Sequence, residues 1–338
     1  MSSYNGLIDL HVHLDGSLSP DTVRYLADMQ NISLIEGKDN KDISTLELDK
    51  KLKINENCHN LKEYLEKFDF TLPLLQSEWS IEQSVYRLLK EQSYQGLIYS
   101  EIRFAPQLHT RNGLSMRKVV LAALKGLAAA RQNLPIGAAL ILCCMRGKDN
   151  AVQNEETIKL AAEFKNSGVA AVDLAGDEYH FKTDNYQNIF SLANKLNVAM
   201  TIHAGEADGP ESIRMALKCG AKRIGHGIAM RLDKDVRKMV RAAGTGVEMC
   251  PISNLQTKAV QSTADYPIGL FLDEGLLVSV NTDNRTVSNT SLTREFDFIQ
   301  KTYGVTDAQV LRIIQNAADT AFADDDMKQK LYKKLVKA

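Results

Sequence analysis

The chain has 338 residues, of which 44% are hydrophobic and 25% charged, the proportions of an ordinary globular protein with one large core. A formal net charge of -1 argues against nucleic acid or an anionic membrane as the main partner. No run of about 18 uncharged apolar residues occurs, which excludes a membrane-spanning helix. The start, MSSYNGLIDLHVH, reaches acidic and histidine residues too early for a secretory signal, so we expect a cytoplasmic protein.

Apolar runs rich in β-branched residues alternate with amphipathic segments along the chain, an order that predicts parallel strands joined by helices. The eight predicted strands are Leu7 to His13, Leu97 to Phe104, Ile136 to Met145, Val169 to Leu174, Val198 to His203, Arg223 to His226, Gly246 to Met249 and Leu277 to Asn281. The clearest helical stretches between them are Ser115 to Gln132, Glu155 to Ser167 and Glu211 to Cys219. The pattern predicts a (β/α)8 TIM barrel that spans residues 1–338 as a single domain.

The connection between the first two strands is too long for one crossover helix, at about eighty residues. It contains a helix-like start (Asp21 to Gln30), a lysine-rich stretch (Asn40 to Lys53) and an amphipathic run (Leu61 to Leu75). We expect residues 31–80, approximately, to form a helical, lid-like insertion. The apolar residues of this run could line the site or only pack extra helices onto the barrel, and both interpretations stay open: Leu61, Leu65, Phe68 and Phe70.

Polar residues with metal-binding side chains follow four of the predicted strands. His11 and His13 are two apart on one strand, so both side chains point to the same face. His203 and Asp283 each follow another strand, and His226 ends a further one. Catalytic zinc needs about three protein ligands and an open position. Because a parallel barrel gathers the ends of its strands at one rim, these residues predict a metal site there.

Six short motifs, HVHLDGS, DLAGDE, HAGE, GHG, CPISN and NTDN, occur in this order between strands one and eight. As a set they resemble the adenosine deaminases of the amidohydrolase superfamily, over most of the chain. The resemblance implies one zinc ion per chain and a purine nucleoside as substrate. The implied zinc ligands are His11, His13, His203 and Asp283.

The resemblance also implies roles for the residues around the metal. Glu206 corresponds to the acid that protonates N1 of the purine, and His226 to the histidine beside the attacking water. The implied substrate contacts are His13, Asp15 near the ribose hydroxyls, Gly176 facing the purine ring, and Asn284. Burial of Glu206 under the substrate would keep it protonated.

Asn284 is a departure from the commonest pattern of the family, where an aspartate is understood to contact purine N7. N7 only accepts hydrogen bonds, so a carboxyl group there must be protonated to donate, whereas an asparagine amide donates without a proton rearrangement. We therefore expect purine recognition to be retained, with a different pH sensitivity.

The same residues bear on alternative metal sites and alternative functions. The cytidine-deaminase type of zinc site needs C-x-x-C, which is absent from the sequence. One metal is favoured over two, although Asp177 and Glu178 leave a second metal open. Alternatives to adenosine and 2′-deoxyadenosine are adenine, N6-modified AMP, or a purine-binding barrel without turnover.

The remaining histidines and one charged pair are expected to be structural. His59, His109 and His180 have no ligand-like spacing and are expected at the surface or in packing. Glu101 and Arg103 share one face of strand two and are expected to form a structural ion pair. The oligomeric state stays open.

Overall fold

The computed structural model describes residues 6–55, 58 and 61–336, and in it eight parallel strands follow one another in chain order around a single sheet. The strands are β1 Leu7–His13, β2 Leu97–Phe104, β3 Gly137–Met145, β4 Val169–Ala175, β5 Ala199–Ala204, β6 Arg223–His226, β7 Gly246–Met249 and β8 Leu277–Val280. Each strand pairs in parallel with the next. The predicted (β/α)8 barrel is confirmed.

The last strand returns to the first just beyond the end of β8. An isolated parallel bridge joins Val12 to Asp283, with His13 N donating to Asp283 O at 2.7 Å and Asp283 N donating to His11 O at 2.7 Å. Asn281 Oδ1 accepts from Leu10 N at 2.9 Å. This junction therefore brings two histidines of β1 beside an aspartate that lies 270 positions or more along the chain.

Helices connect the strands and pack against the outside of the barrel. Within the described part of the chain the α-helices are α1 Pro20–Gln30, α2 Thr45–Leu52, α3 Leu61–Leu65, α4 Phe68–Thr71, α5 Glu78–Tyr94, α6 Met116–Asn133, α7 Ala151–Glu163, α8 Gln187–Lys195, α9 Pro210–Lys218, α10 Lys234–Ala242, α11 Pro251–Gln256, α12 Ile268–Asp273, α13 Leu292–Tyr303, α14 Asp307–Thr320 and α15 Asp325–Val336. Short 3-10 turns lie at Asn40–Asp42, Leu72–Leu74, Pro106–His109, Lys165–Ser167, Thr183–Tyr186, Ile228–Leu232 and Thr263–Asp265. Among the described residues, no helix is long and apolar enough to cross a membrane.

The predicted strands lie where the structure has them, to within one residue at either end. The helix expected over Glu155 to Ser167 instead begins at Ala151 and ends at Glu163. The residues Lys165–Ser167 after it form a separate 3-10 turn. Gly168 follows this turn, and its φ of 125° lies in the region that favours glycine. The chain turns there before β4 begins.

The barrel interior carries charged side chains as well as apolar ones. Arg103 and Arg223 are fully buried there. Arg103 pairs with Asp173 at 2.8 Å and with Glu248 at 2.9 Å. Glu101 pairs with Arg223 at 2.5 Å. The expected Glu101–Arg103 pair is thus wrong, because acids and an arginine from other strands reach these groups across the barrel.

In the described part of the segment between β1 and β2 the chain forms the helices α1 to α5, and α3 and α4 lie over the carboxyl end of the barrel. Ser44 and Glu47 form a capping box at the start of α2, each side chain accepting from the other's backbone N–H. The lysine-rich stretch is therefore partly helical. Among the helices of this segment, the short helices α3 and α4 are the ones whose residues line the site.

Candidate active site

A cavity of about 200 Å³ opens at the carboxyl ends of the strands. Its floor is formed by residues of the barrel, both polar ones such as His203 and Asp283 and apolar ones such as Met145 and Ala175, and one wall comes from α3, α4 and the turn after them. The wall residues include Leu61, Tyr64, Leu65, Phe68 and Leu72. Three of the four predicted wall residues therefore line the cavity. Phe70 does not: it packs against the main hydrophobic core instead.

Imidazole nitrogens and a carboxylate converge on the floor of this cavity. Ligand atoms of His11, His203, His226 and Asp283 all lie within 4.8 Å of one another. His13 belongs to the same cluster, since its Nε2 lies 3.3 Å from His203 Nε2 and 3.4 Å from Asp283 Oδ1. The strand ends thus bring together the four predicted zinc ligands and the predicted catalytic histidine.

Buried carboxylates orient two of these imidazole rings. Glu248 Oε2 lies 2.8 Å from His11 Nδ1, and Asp173 Oδ2 lies 2.8 Å from His203 Nδ1. Arg103 bridges both acids. A carboxylate beside Nδ1 holds the proton on that nitrogen and leaves the Nε2 lone pair free for a metal. Both rings are therefore oriented so that Nε2 can bind a metal in the cluster.

His226 has a different partner. Asn254 Nδ2 lies 2.9 Å from His226 Nδ1. The same amide's Oδ1 accepts from Cys250 N at 3.3 Å and from the Tyr266 hydroxyl at 3.4 Å, which fixes the amide orientation. Burial and the neighbouring His11 lower the pKa of His226, so its ring is neutral at pH 7. With Nδ1 accepting, the single proton lies on Nε2, and that nitrogen is a donor.

Asp283 is held from two sides. Ser253 Oγ donates to Asp283 Oδ2 at 2.6 Å, and Asn284 Nδ2 donates to Asp283 Oδ1 at 2.7 Å. Asp283 also has a φ of 57°, a left-handed conformation that directs its side chain back into the barrel mouth. Asn284 is 3% exposed and lines the cavity, and its Oδ1 has no hydrogen-bond partner within the described chain. Its Oδ1 and the second Nδ2 hydrogen are therefore the groups that could bind a ligand.

Glu206 lies across the cavity from Asp283. Its Oε1 accepts from Thr257 Oγ1 at 3.0 Å, and its Oε2 lies 3.5 Å from His226 Nε2. Burial, followed by the charges of Asp283 and Glu178, raises the pKa of Glu206 to about 8. The carboxyl group is protonated at neutral pH and can donate a proton to a bound ligand.

Two further predicted contacts, Gly176 and Asp15, line the same cavity. Gly176 has a φ of 104°, so a side chain there would be strained and the backbone stays open to a ligand. Asp15 is buried, which raises its pKa to about 6, and its Oδ1 has no partner among the described residues. Both positions present polar groups to the cavity.

Of the histidines expected to be structural, the two that the structure describes do not line the cavity, and Glu178, left open as a ligand of a second metal, does not line it either. His109 is buried and its Nδ1 lies 3.0 Å from Leu75 O, and burial lowers its pKa to about 4. His180 is exposed and pairs with Asp177 at 2.7 Å. Glu178 accepts hydrogen bonds from a neighbouring turn and is not free to bind a second metal. His59 lies outside the described residues.

Several functional neighbours could not be found by sequence reasoning. Glu248 and Arg103 lie mid-strand and look like interior residues of any strand, and Asp173 carried no signal beyond its place in DLAGDE. Asn254 is the last residue of the motif CPISN, but nothing in the sequence indicated its role. Tyr64, whose hydroxyl lies 2.6 Å from Ser288 Oγ, had no signal of any kind.

A buried histidine and aspartate cluster at the mouth of a parallel barrel, beside a protonated acid in a partly apolar cavity, defines the class of barrel hydrolases that work with a bound metal. Comparison with known proteins gives the family. A family model described as adenosine deaminase matches residues 7–338. The chain belongs to the adenosine deaminase family.

Individual relatives agree with that assignment. The chain is 43% identical over 331 residues to the adenosine deaminase of Haemophilus ducreyi, which covers 96% of this chain and 94% of that protein. It is 37% identical over 331 residues to the adenosine deaminase of Enterococcus faecalis, covering 98% and 96% of the two. Among solved structures, an adenine deaminase from Arthrobacter aurescens superposes with a TM-score of 0.87 at 23% identity over 99% of both chains. At that identity the superposition establishes the fold.

Proposed function

We propose that this chain hydrolyses adenosine and 2′-deoxyadenosine to inosine and 2′-deoxyinosine with release of ammonia, using one zinc ion per chain. The observation that carries the proposal is the acid Glu206, whose pKa is raised by burial, in one cavity with a cluster of metal-binding side chains. The whole barrel, residues 1–338, acts as one unit, with residues 31–80 as the insertion above the cavity.

The donor set fits zinc. Zinc–nitrogen bonds of about 2.0–2.1 Å in a tetrahedron set neighbouring ligand atoms about 3.3 Å apart. The measured separations are 3.3 Å for His13 to His203, 3.4 Å for His13 to Asp283 and 3.5 Å for His11 to Asp283. His11 Nε2 is buried and has no hydrogen-bond partner among the described residues. We assign the ligands as His11, His13, His203 and Asp283.

His226 is assigned to the substrate side of the metal. A ligand nitrogen must be unprotonated, whereas Asn254 leaves the proton on His226 Nε2. When bound, zinc lowers the pKa of water to about 7 and so supplies a nucleophile at neutral pH. His226 then orients the attacking oxygen by donating to it, and the remaining proton of that oxygen passes to the exocyclic amine as the C6–N bond breaks, so that ammonia leaves and Glu206 recovers its proton from solvent.

The purine is activated from the opposite edge. C6 of adenine resists attack while the ring keeps its electrons, and a proton at N1 draws electron density away from C6. Glu206 holds that proton, and Thr257 holds the Glu206 carboxyl in place. We propose that Gly176 and Asn284 contact the ring, that His13 also faces the substrate, and that Asp15 binds a ribose hydroxyl.

The charges of the cavity favour a nucleoside over a nucleotide. Among the described residues that line it, four are acids and none is lysine or arginine. A 5′-phosphate carries close to two negative charges, and no lysine or arginine in that lining can form a charge-assisted hydrogen bond with it. The buried Asp15 suits a ribose hydroxyl, which free adenine lacks. Adenosine and its 2′-deoxy form are therefore favoured over AMP-type substrates and over adenine.

Ammonia release tests this assignment directly. The zinc-loaded protein is incubated with adenosine, 2′-deoxyadenosine, adenine and AMP in parallel, and ammonia is measured for each. We expect release from the two nucleosides and at least about a hundredfold slower release from AMP, the cost of a few kcal/mol of uncompensated charge. Release mainly from adenine or AMP would contradict the substrate assignment, and no release from any of the four would indicate a barrel without turnover.

A further inference from the structure

A buried carboxylate outside the cavity wall holds the turn that carries Glu206. Glu178, three residues beyond the end of β4, is 1% exposed and does not line the cavity. Four consecutive backbone N–H groups of the turn after β5 donate to it: Gly205 at 2.7 Å, Glu206 at 2.9 Å, Ala207 at 2.8 Å and Asp208 at 3.3 Å. A fifth donor, Ser212 Oγ, lies at 2.5 Å.

These donors divide between the two oxygens of one carboxylate. Glu178 Oε1 accepts from Gly205 N and Ser212 Oγ, and Oε2 accepts from the other three N–H groups. A carboxylate, which accepts on both oxygens, is the one side chain of this size that satisfies such a set. The turn is further confined at Gly205, whose φ is 73° and where a Cβ would lie 2.5 Å from Ile213. The conformation of residues 205–208 therefore depends on Glu178.

We propose that Glu178 is the positioning residue for Glu206: by holding the 205–208 turn it sets the place from which the Glu206 carboxyl reaches purine N1. This inference rests on the proposed function, because the position of Glu206 matters only if it donates a proton to the ring. Glu178 touches neither substrate nor metal. It acts through the backbone of the residue that does the chemistry.

Glu178→Gln is the informative substitution because it keeps the shape of the side chain and removes one acceptor. If the NH2 group replaces Oε2, it faces three backbone N–H groups that have no acceptor; if it replaces Oε1, Ser212 Oγ can accept from it but Gly205 N loses its acceptor, so the turn must move in either case. A displacement of about 1 Å at a reacting group costs on the order of a hundredfold in rate. We expect kcat for adenosine to fall about a hundredfold in this variant.

A ligand without N1 distinguishes a loss of Glu206 positioning from a general loss of cavity structure. In 1-deazaadenosine a carbon replaces N1, so it occupies the cavity without using the Glu206 proton. We expect Glu178→Gln to bind this analogue within about threefold of wild type and to retain its metal content. The matched control is Glu211→Gln on α9, an exposed carboxylate that pairs with Arg214 at 3.0 Å and should leave kcat unchanged.

The decisive measurement is a double-mutant cycle with Glu206→Gln. If Glu178 acts through Glu206, the double variant should be no more than about threefold slower than Glu206→Gln alone. Losses that multiply, or a Glu178→Gln kcat within threefold of wild type, would overturn the proposal. Should Glu178→Gln not fold, Glu178→Asp keeps both acceptor oxygens on a shorter arm. It is expected to lose about tenfold in kcat, and the same cycle applies to it.

Different results would disprove the proposed function and the role of Glu178. Wild-type protein that releases no ammonia from adenosine removes the proposed function, and the role of Glu178 with it. An active wild type, an impaired Glu206→Gln and multiplying losses in the double variant would leave the function standing and overturn the role of Glu178 alone.

Discussion

Asn284 offers the most discriminating test of how the purine is recognised. Its Nδ2 carries two hydrogens, and one of them is donated to Asp283 Oδ1 at 2.7 Å. The second is the one that the proposed contact with purine N7 would use, in the cavity that Asn284 lines. Asn284→Ala therefore removes two interactions, one within the protein and one with the substrate, and the two can be measured apart.

The magnitudes follow from burial. Loss of the hydrogen bond to Asp283 costs about 1 kcal/mol, or about fivefold in kcat/KM, with any substrate. Loss of the bond to N7 leaves a buried acceptor unpaired in a closed cavity, which costs about 1–3 kcal/mol, or roughly one to two further decades. The analogue 7-deazaadenosine has a carbon at that position and cannot lose the second bond.

The assay is kcat/KM for adenosine and for 7-deazaadenosine, each with wild type and Asn284→Ala. We expect the analogue to lose about fivefold and adenosine to lose at least ten times more than that. Equal losses with both substrates would refute the contact to N7 and leave Asn284 acting only through Asp283. As a matched variant, Asn284→Asp donates only while protonated, so its adenosine activity should fall as pH rises, whereas its activity on the analogue should not follow that loss.

Three further predictions concern the metal, the acid and the histidine. Purified protein should hold about one zinc per chain, measured by metal analysis, and His13→Ala or Asp283→Ala should lose it; a full complement of zinc in both would contradict the ligand set. Glu206→Gln should keep its zinc and lose about two to four decades in kcat; a rate of this variant within a few-fold of wild type would show another proton donor. Wild-type kcat/KM should fall as pH rises through about 8, where Glu206 loses its proton. Asn254→Asp should draw the proton of the His226 imidazole to Nδ1, so that Nε2 no longer donates to the attacking oxygen. We expect kcat to fall at least tenfold, whereas an unchanged kcat would mean that the tautomer of His226 does not matter.

The barrel and the site residues were predictable because their signals are local. Strands appear as short apolar runs, and a parallel barrel places the residue after each run at one rim. His11 and His13 share a face by strand alternation, which no distant residue can change. The fold and the convergence of the candidate ligands therefore followed from pattern and topology together, while their separate roles depended on a resemblance.

The remaining features depend on contacts across the barrel. Glu101 and Arg103 share a face of β2, yet Arg223 and Glu248 approach from the opposite side of the interior and take them as partners. Whether a histidine binds a metal or donates a proton depends on the group at its other nitrogen. For His226 that group is Asn254, and its amide orientation depends in turn on the loop around it. None of these partners can be read from spacing along the chain.

The central claim is that a metal held by the histidine and aspartate cluster and an acid across the cavity together deaminate adenosine. Stripping the protein of metal with a chelator, adding back zinc in measured equivalents and recording ammonia release from adenosine at each step tests it most directly. The account predicts no release from the stripped protein and a linear recovery that ends at about one zinc per chain. Full activity in protein shown by metal analysis to be free of metal, or recovery that continues to two equivalents, would contradict it.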